Sequence, residues 1–179
     1  MGGSRLTLAR LRTALERLLE AIVIVLMIVL TAVVVVAVVY RKAGASLTWY
    51  DEVASVLLAW VTYYGAALAA LKRAHIGFDG LVRALPLSWR LASVVLAEAV
   101  VLGFFALLAW TGWQVLQVLE GDTLVSLPQV SVQITQSVIP IGAVLFMICQ
   151  LLSLPEHWRR VSFGRASEVP AESEEEASR

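Results

Sequence analysis

Four long stretches of this sequence carry almost no charge, and they decide what solvent the chain can fold in. Residues 21–40 and 53–71 contain no Asp, Glu, Lys or Arg, and neither do residues 137–154; residues 91–119 contain one, Glu98. A helix of twenty residues is about 30 Å long, which is the thickness of a bilayer's hydrocarbon core. The apolar residues are clustered in these runs, without the polar face of a soluble amphipathic helix. Of the whole chain 59% is hydrophobic and only 16% charged, so a core of this size could not hide all four runs from water. They are expected to face lipid. The fold class read from them is an all-α membrane protein of four transmembrane helices with short interfacial amphipathic helices.

The valine-rich part of the first run, Val33 to Val36 with Val38 and Val39, would suit a strand in water. In lipid an open strand leaves its N–H and C=O groups unsatisfied, so the helix is expected to win. Ala43, Gly44 and Ala45 have the small-residue spacing of a signal cleavage site. A signal's apolar core is only about 7–15 residues long, however, and Arg41 and Lys42 intervene, so the segment reads as a retained anchor. The 29-residue third run must tilt or project beyond the core, with Trp110 and Trp113 marking its exit. Pro140 stands near the start of the fourth run, where a missing N–H is tolerated.

Orientation follows from the cations. Arg5, Arg10, Arg12 and Arg17 precede the first span; Lys72, Arg73, Arg83 and Arg90 lie in the second loop; Arg159, Arg160, Arg165 and Arg179 follow the fourth span. Only Arg41 and Lys42 lie on the opposite side. Twelve of fourteen cations on one side place both termini in the cytoplasm by the positive-inside rule. The chain divides accordingly into a cytoplasmic segment, 1–20, a transmembrane domain, 21–154, and a Ser- and Glu-rich cytoplasmic tail, 155–179, expected to be disordered. The leucines and arginines of residues 1–20 fit either an amphipathic helix on the inner leaflet or a plain extension of the first span.

Candidate functional residues stand mostly at the span ends. Thr48 followed by Asp51 has capping-box spacing, which places Asp51 and Glu52 in the first helical turn, with Trp49 and Tyr50 at the interface. The acidic pair either caps this helix or docks a partner protein. Asp79 can cap a short membrane-facing helix that ends before Pro86. His75 has no Cys or carboxylate cluster at ligand spacing and reads as an interface residue, not a metal ligand. The lone Cys149, inside an apolar run, reads as a packing residue. Small residues at Ser55, Ala59, Thr62, Ala66 and Ala69, with Gly65 beside them, suggest close helix packing, as do Ala99 and Gly103. Glu98, alone and charged within a span, has either a structural or docking role, pairing with Arg90 or a partner's arginine, or a role in ion coupling.

The sequence offers no span histidine for haem, no interrupted pair of spans for a midplane substrate site, no charged row for a pore, and no nucleophile–base or phosphate-loop motif. No catalytic residue, bound cofactor, metal or nucleic-acid partner is expected. Trp49, Asp51 and Glu52 opening the second span, Gly65 within it, His75-Ile76 after basic residues, and then Asp79 together resemble the small membrane subunit of tripartite ATP-independent periplasmic (TRAP) transporters. Pro140-Ile141-Gly142 is similar to that family too, and the likeness covers about residues 15–160.

The resemblance implies a multi-pass protein of the bacterial inner membrane that supports a large elevator-type subunit. That subunit would carry the sodium ions and the solute, often a carboxylate, delivered by a periplasmic solute-binding protein. The residues of this chain would then hold partners and lipid, not solute, with residues 41–52 and 120–136 contributing to a docking surface. Two other readings are a self-assembling small channel or holin-like protein and a membrane anchor of a redox complex.

Overall fold

The computed structural model describes residues 3–72 and 86–163. His75 and Asp79, the short helix expected after Asp79, and the tail from residue 164 lie outside the described residues. Among the described residues five helices follow in chain order: α1 (Gly3–Lys42), α2 (Tyr50–Lys72), α3 (Leu87–Val118), α4 (Val132–Gln136) and α5 (Val138–Phe163). Four helical stretches among the described residues are long and apolar enough to cross a membrane: Arg10–Lys42, Tyr50–Lys72, Ala92–Val118 and Val132–Leu154. The valine run is helical, as the need to satisfy backbone groups in lipid dictates.

One uninterrupted helix runs from Gly3 to Lys42, passing without a break from the arginine-rich segment into the apolar run. At 1.5 Å per residue it is about 60 Å long, so it projects well beyond a hydrocarbon core of about 30 Å. It ends where the cleavage-like residues stand. Gly44 adopts φ +82°, the Ala45 N–H reaches the Tyr40 carbonyl at 3.0 Å, and the Gly44 N–H reaches that of Arg41 at 3.2 Å. This is the Schellman pattern, and only glycine takes that φ without strain. Arg41 and Lys42 in the last turn complement the negative end of the helix dipole.

The long helices lie in a row. α1 packs on α2, α2 on α5, and α5 on α3. The buried cluster joins the first three: Leu19 of α1, Ala67, Ala70 and Leu71 of α2, and Phe146 and Cys149 of α5. Phe105 of α3 is added by stacking on Phe146, with centroids 3.7 Å apart and planes 9° from parallel. A row leaves two broad faces open. Ile24, Val25, Met27 and Ile28 of α1 and Leu96, Val100, Phe104 and Leu107 of α3 are all exposed. Exposed leucine and valine are no liability when the solvent is acyl chain.

Where helices touch, small residues allow it, but the positions differ from those the spacing suggested. A Cβ on Gly65 or Gly103 would meet nothing within 4 Å. The tight approaches are at Gly142, where a Cβ would lie 2.7 Å from Tyr63 Cβ, and at Gly112, where it would lie 3.0 Å from Ile139 and 3.1 Å from Pro140. Of the proposed stripe, Ser55 and Thr62 are exposed; the buried alanines of α2 are Ala67 and Ala70, one position away from Ala66 and Ala69. Spacing of three or four recurs on several faces of an alanine-rich helix, so it does not choose among them.

At the end of α2 a polar knot fixes the first crossing. Lys72 Nζ bonds the Glu20 carboxylate and lies 3.5 Å from Glu16, while Arg12 donates to the Leu71 carbonyl at 3.2 Å. The arginine thereby gives a carbonyl in the last described turn of α2 a side-chain donor.

Candidate functional site

The opposite end of α2 begins differently from the expected capping box. Val53 N–H bonds the Trp49 carbonyl at 3.2 Å, so Trp49 occupies the cap position and Thr48 lies one residue too early for the box. Asp51 and Glu52 do stand in the first turn, where the helix dipole favours negative charge. Their fates diverge. Asp51 is exposed and makes no hydrogen bond or ion pair among the described residues, whereas Glu52 turns towards the chain between α3 and α4.

That connection is built as a small hairpin. Gly121, at φ +91°, turns the chain after α3; Thr123 and Ser131 form an isolated antiparallel bridge; the Leu124 N–H reaches the Val130 carbonyl at 3.0 Å. The tip presents two backbone N–H groups that have no partner in the hairpin, and Glu52 takes both. Val125 N–H donates to Oε1 at 2.9 Å and Ser126 N–H to Oε2 at 2.8 Å. The Ser126 hydroxyl adds a bond to the Thr48 carbonyl at 3.2 Å. A carboxylate with one charge-assisted bond on each oxygen fixes orientation as well as distance. Glu52 precedes the uncharged stretch 53–71 and lies outside the membrane-spanning segment. The Ser126 N–H has the largest effect and lowers its carboxyl below the ordinary pKa; desolvation, next in size, opposes it, and the Val125 N–H lowers it further.

The clamp orders an outer surface. With its N–H held, Val125 points its side chain away from the protein and is 92% exposed. Trp49 is half-buried, and Arg41, at the end of α1, donates to the Tyr50 hydroxyl at 3.0 Å. The two connections expected to make a docking surface, residues 41–52 and 120–136, are thus joined into one rigid ledge through Glu52. By its position the acidic pair fits a cap or a contact to another protein. For Glu52 the structure gives a third answer: it holds the chain's own loop.

Below the ledge, two features tie α4 and α5 to their neighbours. Trp60 of α2 donates its indole N–H to the Thr135 carbonyl at 3.1 Å, and Gln133 donates to the Leu116 carbonyl of α3 at 2.9 Å. Each satisfies a carbonyl near a helix end. Pro140 is buried in the first turn of α5 against Gly112, and Gly142 is buried against Tyr63. Of the resembling residues, Trp49, Glu52, Pro140 and Gly142 therefore stand at or just beneath one end of the row. Gly65 lies farther along α2 with open space beside it, and Asp51 is exposed with no bond among the described residues.

Glu98 lies towards the other end. It is buried between α3 and α5, where the Gln150 amide donates to its Oε2 at 2.7 Å. Gln150 was the missed residue, and its signal was available: it is a lone amide within an otherwise apolar stretch of residues 138–152. The Arg90 side chain falls outside what the structure describes. Ser153, also buried, donates to the Gln150 carbonyl at 2.9 Å. The pair links the two helices where lipid supplies no alternative donor, an interaction worth about 0.6–2 kcal/mol in membranes. Glu98→Leu is expected to weaken the α3–α5 contact by about that amount, and Glu98→Leu with Gln150→Leu to restore part of it, because the single variant strands an amide. Detergent-resistant thermal unfolding of the two variants checks this, and equal losses would mean that the bond is not the link.

No group of three or more His, Cys, Asp and Glu side chains able to hold a metal is present among the described residues. A family model described as "Tripartite ATP-independent periplasmic transporters, DctQ component" matches residues 30–160, which include the ledge, the Glu98–Gln150 pair, the last part of the first crossing helix and the crossing stretches of the other three. No curated protein matches the chain in sequence. The DctQ component is part of a transporter and not an enzyme family, and it implies a multi-pass protein of the inner membrane that works with a large membrane subunit and a periplasmic binding protein. The chain belongs to the DctQ component family of TRAP transporters.

Proposed function

We propose that this chain is the fixed scaffold of a sodium-coupled uptake system. It would hold a large elevator-type subunit that carries the solute, a carboxylate delivered by a periplasmic solute-binding protein. Both termini would be cytoplasmic, as the distribution of Lys and Arg favours, and the Glu52 ledge would face the periplasm. The sodium ions would be bound by the large subunit, with no cofactor on this chain. One observation carries the reading: the crossing helices form an open row with two apolar faces, and the strong polar contacts between them are used to hold the row itself together. An apolar slab braced at both ends is suited to lie against a larger membrane body. A self-assembling channel would need a polar face along its spans, and the exposed faces of α1 and α3 are apolar.

The test is affinity purification in mild detergent from cells producing the whole system. The expected result is that a much larger multi-helix membrane protein accompanies the chain in fixed ratio, and that uptake in vesicles needs both together with a sodium gradient. A monodisperse preparation of this chain that transports by itself would overturn the reading.

A further inference from the structure

A groove of about 430 Å³ opens between α1 and α2, walled by Ala21, Ile22, Val25 and Leu26 on one side and by Trp60 and Tyr64 on the other. We propose that it is a binding site for an anionic phospholipid, with one acyl chain in the groove and the headgroup phosphate on Arg17. The proposal does not depend on the transporter reading.

Three observations lead to it. The groove is apolar and belongs to the uncharged stretches 21–40 and 53–71, so its contents must be hydrocarbon. Its far wall is stiff: Trp60 is fixed by its bond to the Thr135 carbonyl, and the Tyr64 ring stands 6.1 Å from it, tilted by 54°. A wall held by a hydrogen bond cannot collapse to fill the space.

The charges at the mouth are the third observation. Lys72 is engaged by Glu16 and Glu20, and Arg12 by the end of α2. Arg17 is exposed and makes no ion pair or hydrogen bond among the described residues. It lies four residues before Ala21, about 6 Å along the axis and on the same side of the helix, at the boundary between the charged segment and the apolar run. A cation at that level, with its stem along the helix and its head at the interface, complements a phosphate. A helix from another protein is a poorer occupant, since it is about 10 Å across and would bring no anion to Arg17.

The test uses the full chain in nanodiscs with Trp49, Trp89, Trp110, Trp113 and Trp158 replaced by Phe, leaving Trp60 as the reporter. Phosphatidylglycerol brominated on its acyl chains is expected to quench Trp60 at lower mole fraction than equally brominated phosphatidylcholine, by about fivefold. Arg17→Gln should abolish that preference, and Ala21→Phe, which fills the groove, should reduce quenching by both lipids. Equal quenching by the two lipids, a preference that survives Arg17→Gln, or quenching indifferent to Ala21→Phe would overturn the proposal. Should the five-fold substituted chain fail to fold, native mass spectrometry of the unaltered chain and of Arg17→Gln decides. Phosphatidylglycerol retained preferentially by the former alone supports the site, and any other pattern refutes it.

Discussion

Glu52→Ala is expected to release the hairpin between α3 and α4 from the start of α2. Both N–H groups at the tip, those of Val125 and Ser126, lose their only acceptors, and the Ser126 hydroxyl bond to Thr48 loses the geometry that supports it. Hydrogen exchange at the two amides should quicken by about tenfold, while amides in the middle of α2 keep their protection. Glu52→Gln should fall between, since its amide offers one acceptor oxygen where the carboxylate offers two. Asp51→Ala should leave exchange unchanged, because Asp51 makes no bond to the hairpin.

In the assembled transporter, Glu52→Ala should lower uptake several-fold while capture of solute by the periplasmic protein is unaffected. Acid should mimic the variant with a definite sign. The folded carboxyl titrates below its ordinary 4.5, so the clamp's contribution is complete above that value and is lost as the pH falls through the lower, folded one. Unaltered exchange at Val125 and Ser126 in Glu52→Ala would remove the carboxylate from any role in the ledge.

Gly142→Val should be the most damaging single change in the spans. Even an alanine Cβ would lie 2.7 Å from Tyr63 Cβ, a contact with the root of a side chain that cannot rotate away. Overpacking of this kind costs about 1–3 kcal/mol for an added methyl group, and valine adds two more carbons at the same point. α2 and α5 must then separate, and both Phe146 and Cys149, which face α2 farther along, lose their contacts. A lowered thermal midpoint and poor recovery from detergent are the expected results. Gly65→Val is the control: the same change on α2, where a Cβ meets nothing within 4 Å, should leave the isolated chain's stability nearly unchanged. If both variants behave alike, the approach at Gly142 is not what sets the distance between these helices.

Much of this architecture was legible in the residues. Twenty uncharged residues from Ala21 and nineteen from Val53 commit those segments to lipid, and lipid commits them to helix whatever their β-branched content. The short motifs around Trp49 to Glu52 and Pro140 to Gly142 also pointed to the right family. Glu52 could be marked as important without its role being visible. Its partners are 73 and 74 residues away and are backbone groups, which every residue type possesses, so no side-chain pattern announces them. Glu98 was likewise marked, but its partner Gln150, 52 residues on, was not. At Gly65 and Gly103 no helix of this chain comes close among the described residues. A small residue permits a close approach without requiring one.

What the sequence determined by itself was the all-α class and the number of helices long and apolar enough to cross a membrane, because transfer into lipid sums over a segment and does not depend on what lies beside it. The tertiary structure alone decided that α5 lies between α2 and α3, that Gly142 meets Tyr63, and that Glu52 clasps the hairpin. In water, an apolar stripe tells each helix which way to turn. In a bilayer the lipid is as apolar as the packed interior, so hydropathy leaves the rotation and axial shift of each helix open, and those two quantities are set only by the fit of one particular surface against another.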